Sequence, residues 1–309
     1  MSGISGSDKP NIVVKTPPAK PPKSVVQAKS AKPSRRRKRN DKTNSDDWLN
    51  GAIYADFGVG KTYLVGTCEL VPEMKEVLFL NVDFGSKGLP ENFEGDIYDI
   101  RSYSELANAY EFAKSYVIAR DSDNVQKMRE LEARLFEEDI ENIGEPKRYR
   151  TIIIDDLSDV QRLNKYQLLG IDLATTKLDE IPEYMKMRDW GSTLEMILQM
   201  LSGFRALKMH TLFVITVADD EDDKKKKFYR PALQGQAKSE ILGYFDFVGY
   251  YTMIVPQATN KAGALMAEGD VLRRLYLAPV GPFKAKNRFA KLKGFWLDNP
   301  TMKDIYDLL

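Results

Sequence analysis

The sequence predicts an α/β fold in which a mainly parallel sheet is built around a phosphate-binding loop. Antiparallel strands are added at the C-terminal edge, and a disordered basic tail precedes the domain. Three observations predict this. From Asp46 onward, short β-branched and aliphatic runs alternate with stretches of helical spacing, the order that winds a parallel sheet. Gly51 to Thr62 joins an apolar strand to a helix through a glycine-bearing turn. After Phe247 the apolar runs follow one another without long helices between them, as antiparallel neighbours do.

The tail comes first in the chain. Residues 1–46 carry twelve Lys or Arg against three Asp, a net of +9, and no aromatic residue. Such a segment cannot bury enough apolar area to offset its ordering entropy. The total charge is +1, so residues 47–309 carry −8. A basic tail on an acidic body points either to a polyanion partner, with Arg35 to Arg39 on phosphates, or to a solubilising linker. Residues 47–309 are expected to form one domain, and 43% hydrophobic content is ample for its core. The single cysteine, Cys68, allows no internal disulfide and reads as a buried small apolar residue, which suits a reducing cytoplasm. No apolar run approaches the ~20 residues that span a bilayer, and Met1 to Asp8 lacks the apolar core of a signal peptide. A soluble cytoplasmic protein with no membrane partner is the expectation.

Ala52 to Ala55 reads as the first buried strand, and Lys61 to Val65 opens the first helix. Gly58 and Gly60 let the intervening backbone curl so that successive N–H groups point into one concavity, to which the helix start adds positive character. Asp56, Phe57, Gly58, Val59, Gly60, Lys61, Thr62 and Tyr63 are therefore the expected contacts of a nucleoside triphosphate. Lys61 would reach the β- and γ-phosphates, and the Thr62 hydroxyl would ligate Mg²⁺. Two positions depart from the usual G-x-x-x-x-G-K-[ST] pattern. Ala55 stands where the first glycine belongs, and Asp56 puts a carboxylate inside the loop, repelling a triphosphate unless turned away.

Next come a helix to about Glu73, the strand Val77 to Asp83, a turn over 84–88 and a short strand near 97–100. Ser102 with Glu105 predicts a capping box for a helix to Arg120. Helical spacing over 123–143 ends at Gly144 and Pro146. Thr151 to Ile154 is a β-branched run closing on Asp155 and Asp156. Helices are expected over 158–169 and 191–207, and between them an irregular stretch carries Lys177, Tyr184, Lys186 and Arg188. Thr211 to Ala218 is a buried strand, and the lone histidine, His210, reads as a surface residue before it. The acidic run 219–223 and Lys224, Lys225, Lys226 and Lys227 form a charge block expected to be an exposed loop. Runs at 247–255, 273–278 and 284–289 give the antiparallel strands, and 302–309 a last helix.

An aliphatic strand ending in Asp155 is the form of the carboxylate that orients Mg²⁺ opposite Thr62. Hydrolysis also needs a group to orient and deprotonate water. Asp83, at the end of the second strand, and Asp156 compete for that role.

Phe79 to Asp83 followed by Gly88-Leu89 is similar to the second-strand motif of RecA-like recombinases, which ends in the catalytic acid. The order of phosphate loop, Asp83, Asp155, irregular basic stretch, strand 211–218, second basic loop and late cluster Lys284 to Ala290 resembles the RecA core over residues 47–309. Trp190-Gly191 before a helix, and Asp246 in Gly243 to Asp246, resemble the short RecA-like NTP-binding proteins of bacteriophages. That resemblance implies a RecA-like, Mg²⁺-dependent ATPase that binds single-stranded DNA for annealing or strand exchange. It would act in the host cytoplasm if phage-encoded, as a ring or filament of copies, with a single-strand-binding protein as a further partner. Lys61, Asp83 and Asp155 would be catalytic, and Lys286 and Arg288 would reach the ATP of a neighbouring subunit. Lys186, Arg188 and Lys224 to Lys227 would lie in two DNA-contacting loops over 170–190 and 219–238. Asp83 replaces the family's usual Glu, and Thr216-Val217 stand where it places polar sensors. Two rivals stay open: with Ala55, Asp83 and Thr216, a nucleotide-dependent DNA-binding module with little hydrolysis, and, with Asp156 directly after Asp155 as base, a motor-type ATPase.

Overall fold

A computed structural model describes residues 48–172, 175–177, 185–221, 223–254, 271–289 and 291–308. The basic tail, Tyr184 and Ala290 lie outside the described residues. The elements run β1 (Asn50–Ala55), α1 (Lys61–Gly66) with a 3-10 turn over Thr67–Leu70, β2 (Val77–Asn81), β3 (Asp96–Asp99), α2 (Tyr103–Asp121), α3 (Val125–Phe136), β4 (Thr151–Asp155) and α4 (Leu157–Leu168). There follow α5 (Met187–Arg205), β5 (His210–Glu221), β6 (Lys227–Pro231), α6 (Ala237–Glu240), β7 (Phe247–Ile254), β8 (Leu272–Tyr276), β9 (Lys286–Asn287), β10 (Trp296–Asp298) and α7 (Met302–Tyr306).

The main sheet has the order β10-β8-β7-β1-β5-β4-β2-β3. Its body from β7 to β3 is parallel, while β8, β9 and β10 pair antiparallel at the C-terminal edge. This is the predicted α/β architecture, with one shift of boundary. β7 was expected among the antiparallel strands but runs parallel to β1, so the change of direction falls between β7 and β8.

The continuous apolar runs are explained by burial on both faces. Because strand side chains alternate, Ala52, Tyr54, Leu78, Leu80, Ile152, Ile154, Phe213 and Ile215 enter one core with α2 to α5. Ile53, Ala55, Val77, Phe79, Ile153, Leu212 and Val214 enter the other, with α1 and α7. Cys68 is fully buried in that second core, as expected. No helix among the described residues is long and apolar enough to cross a membrane.

Four local expectations are corrected. α3 stops at Phe136 because Glu137 takes a left-handed φ of 55° and breaks the ladder well before Gly144. α5 starts at Met187, so Lys186 is its N-cap and Arg188 lies in its first turn, outside an irregular loop. Asp219 to Glu221 and Lys227 are not loop but the paired arms of a β5–β6 hairpin, with Glu221 opposite Lys227. His210 is no surface residue: it is 2% exposed, and its Nδ1 accepts the Leu49 N–H at 3.0 Å. Burial, with Arg150 beside it, pulls its pKa down to about 3, so the ring is a neutral structural pin. Ser102 does cap α2, accepting the Glu105 N–H at 3.1 Å. The Glu105 carboxylate returns to the Arg101 N–H rather than to Ser102 itself.

Candidate nucleotide site

β1 delivers the chain to the loop at the C-terminal end of the sheet. Gly58 and Gly60 take φ of 72° and 99°, a region that costs other residues about 1–2 kcal/mol, so both glycines are required there. Ala55 needs no such freedom. It is the last residue of an extended strand, registered between Thr216 and Tyr251, and the missing first glycine is thereby accommodated. The Asp56 carboxylate is occupied on its own loop, accepting the Phe57 N–H at 2.7 Å. Lys61 folds back along the loop, its Nζ donating to the Ala55 and Asp56 carbonyls at 3.2 and 3.1 Å and lying 5.6 Å from the Phe57 ring. Tyr63, one turn into α1, is exposed.

Thr62 and Asp155 meet across β5: the Thr62 hydroxyl donates to Asp155 Oδ2 at 2.6 Å. Asp155 is fully buried, and its other oxygen, Oδ1, has no hydrogen-bond partner among the described residues. Burial, followed by the Asp83 charge, pushes its carboxyl up to about 7, against the opposing Thr62 hydroxyl. A hydroxyl beside an orphaned carboxylate oxygen is an all-oxygen donor pair that fits Mg²⁺, which takes few protein ligands and completes its shell from phosphate and water. The described residues contain no cluster of three His, Cys, Asp or Glu that could hold a metal ion.

The two competing acids differ sharply. Asp83 follows β2, is exposed, and has its backbone N–H on the Asp155 carbonyl at 3.2 Å. Its Oδ1 accepts the Gly85 N–H at 2.8 Å, and a Cβ at residue 85 would come within 2.8 Å of this carboxylate, so a larger residue there would turn Asp83 away from that position. The same turn brings Gly88 against Thr62. Asp156 is 3% exposed, and both its oxygens are engaged. Oδ1 caps α4 through the Ser158 N–H, and Oδ2 accepts the Thr216 hydroxyl at 2.8 Å.

Lys61, Thr62, Asp83 and Asp155 are thus brought together, but Lys286 and Arg288 are not. Lys286 pairs in register with Val248 at the start of β7, the sheet end opposite the loop. Its Nζ donates to the Leu242 and Phe245 carbonyls at 2.7 and 3.0 Å, and Arg288 pairs with Asp246 at 3.2 Å. Lys224 to Lys227 lie exposed at the β5–β6 hairpin, with Lys227 3.9 Å from Asp219.

Sequence reasoning missed Arg273. From β8, its Nε donates to the Val59 carbonyl in the loop at 3.0 Å, more than two hundred residues away in sequence. Thr216 stood out in the sequence only as a departure from the polar sensors, and its tie to Asp156, from the strand that continues into the β5–β6 hairpin, was not visible there. Neither contact has a local signal, because each joins residues distant in the chain.

Among curated proteins none matches this sequence. Among solved structures, that of the RadB recombinase is similar at 10% identity and a TM-score of 0.33, covering 81% of this chain and 87% of that one. The family described as AAA domain (AAA_24) matches residues 49–289, a span that holds the loop, both acid-bearing strands and β8. The chain belongs to that P-loop family.

Proposed function

We propose that this chain is a RecA-type ATPase that binds single-stranded DNA as an oligomer and serves annealing or strand exchange. The observation that carries the nucleotide part is the Thr62–Asp155 pair with its orphaned buried oxygen, set beside the exposed Asp83. Lys61 would hold the phosphates, and Thr62 and Asp155 would hold Mg²⁺. A bound Mg²⁺ would neutralise charge on the β- and γ-phosphate oxygens. Asp83 would accept the proton of the attacking water. Its exposure favours it over Asp156, whose oxygens are both taken.

The DNA part is supported by the four exposed lysines 224–227 of the β5–β6 hairpin, although the acidic run 219–223 before them leaves the hairpin with no net positive charge. β5 runs from Thr216, level with the loop, straight into the exposed lysines. A second reading, nucleotide-dependent DNA binding with little hydrolysis, is favoured by the engagement of Lys286 and Arg288 away from the loop. An ATPase assay with and without oligo-dT separates the two. Stimulation that disappears when Lys224 to Lys227 are all changed to Ala supports the recombinase-type reading. DNA binding without stimulation supports the passive module.

A further inference from the structure

We propose that Arg273 is a positioning residue of the phosphate loop: from β8 it fixes the Val59–Gly60 peptide so that the Gly60 N–H faces into the loop. The inference rests on the triphosphate-binding reading and adds a residue outside the loop motif.

The geometry is specific. Arg273 Nε donates to the Val59 carbonyl at 3.0 Å, and a Cβ built on Gly60 would lie 3.4 Å from that nitrogen, so the guanidinium packs directly on the loop backbone. A trans peptide points its carbonyl and its N–H in opposite directions. Holding the Val59 oxygen outward towards β8 therefore turns the Gly60 N–H the other way, into the concavity. Gly60, at φ 99°, needs this help, because glycine populates both signs of φ with little preference and the peptide before it can flip. A flipped peptide would put a carbonyl dipole where a phosphate oxygen belongs and remove one donor from the nest.

Arg273 is itself well anchored. Its N–H donates to Asn299 Oδ1 at 2.9 Å, and its carbonyl accepts the Asn299 N–H at 2.6 Å. The next residue, Arg274, points to the opposite face of β8, where it binds Asp298 at 2.6 and 2.9 Å and lies over the Trp296 ring. The pair thus clips β8 to the edge strand on one face and to the loop on the other. The guanidinium makes no other hydrogen bond among the described residues, so the Val59 carbonyl is its one partner there.

The test is equilibrium titration with a fluorescent ATP analogue, read as affinity without turnover, on full-length Lys61→Ala, Arg273→Ala and Arg273→Lys proteins. Arg273→Ala is expected to weaken triphosphate binding by about tenfold to a hundredfold, the range for a charge-assisted hydrogen bond. The nucleotide-free melting temperature should be unchanged. Arg273→Lys, which keeps the charge but loses the planar fork, should recover less than half of the lost binding free energy. Full recovery by lysine would overturn peptide orientation in favour of bulk charge. Unchanged affinity in Arg273→Ala, with Lys61→Ala abolishing binding, would overturn this inference alone. No binding by the unmodified protein would overturn the triphosphate reading beneath it. If Arg273→Ala lowers the melting temperature, Arg273→Lys decides the matter, since an affinity loss there at unchanged melting temperature supports the inference and none overturns it.

Discussion

The two ends of the parallel sheet are both charged, yet they differ in how their charges are satisfied. At the N-terminal end, Lys286 rests on two carbonyls, Arg288 on Asp246, and Asp246 also accepts the Asn50 N–H at 3.1 Å. At the C-terminal end Lys61, like Lys286, lies on two carbonyls, but Asp155 keeps a buried oxygen without a donor among the described residues, and Asp83 beside it is exposed. The density of charge therefore does not mark the site. Charge that the fold leaves incompletely paired does, because a buried group without its partner costs about 1–3 kcal/mol and persists where a ligand supplies what is missing.

Lys61→Ala tests this contrast with the largest expected effect. It removes the cation that spans the loop and should weaken ATP binding by on the order of a hundredfold or more. Melting temperature should change little, since only two hydrogen bonds to loop carbonyls are lost. Equilibrium titration with a fluorescent ATP analogue checks it. Retained tight binding would mean that the loop end is no more a site than the other.

The acids give the next largest effect. Asp83→Asn should leave Mg·ATP binding intact and cut single-turnover hydrolysis by about 10²–10⁴-fold, the usual worth of a general base. Asp156→Asn keeps a cap acceptor for the Ser158 N–H but loses the second oxygen that accepts the Thr216 hydroxyl, so it should act on stability instead, by roughly 1 kcal/mol, with hydrolysis reduced only mildly. If Asp156→Asn is the more damaging to hydrolysis, the exposed acid is not the base and the motor-type reading gains.

Much of this site was legible because its parts are local. The strand, the glycine turn and the Lys61-Thr62 pair lie within twelve residues, and Asp155 ends an unmistakable β-branched run. The alternation of apolar runs with stretches of helical spacing made the parallel sheet equally plain. What escaped depended on distant partners. His210 looked exposed because nothing near it in sequence shows that Trp48 and Tyr306 enclose its ring. Lys224 to Lys226 do lie in an exposed turn, but the expected loop was too long, because Asp219 to Glu221 and Lys227 pair as the strand arms on either side of it. The spacing of Lys286 and Arg288 was visible and suggested a role at a neighbour's site, but the carbonyls of Leu242 and Phe245 that Lys286 meets within its own chain were not. Arg273 is the converse, ordinary in sequence and informative only once β8 is placed beside β7.

Changing Lys286 and Arg288 together to Ala sharpens the comparison from the other end. Lys286 leaves two carbonyls without a donor, and the Arg288–Asp246 pair is partly exposed, so the expected cost is about 1–4 kcal/mol of stability. Hydrolysis per folded molecule should be unchanged. Urea unfolding and an ATPase assay on the same preparation check both. Lost hydrolysis that returns on mixing with Lys61→Ala protein would instead place these cations in a neighbour's site, in a conformation that frees them from Leu242 and Phe245.

The smallest effect sets a second buried carboxylate against Asp155. Glu132, on α3, is 6% exposed, and Tyr116 of α2 donates its hydroxyl to Oε1 at 2.5 Å. Asp96 at the start of β3, itself paired with Lys147 and Tyr149, faces the same cluster. Burial pushes the Glu132 carboxyl up to about 7, opposed by the Tyr116 hydroxyl and assisted by the Asp96 charge. Its ordinary value is 4.5, so between there and about 7 the folded state holds a proton that the unfolded chain has released. Stability should therefore fall as pH rises through that window, by at most about 1.4 kcal/mol per pH unit, and level off above it. Glu132→Gln keeps an acceptor for Tyr116 and cannot ionise, so it should flatten this slope while leaving nucleotide affinity untouched. Urea unfolding at half-unit steps from pH 5 to 8 would show the difference. Equal slopes in the two proteins would mean that Glu132 is as easily ionised in the fold as in the unfolded chain, and the burial of its carboxyl would then carry no proton with it.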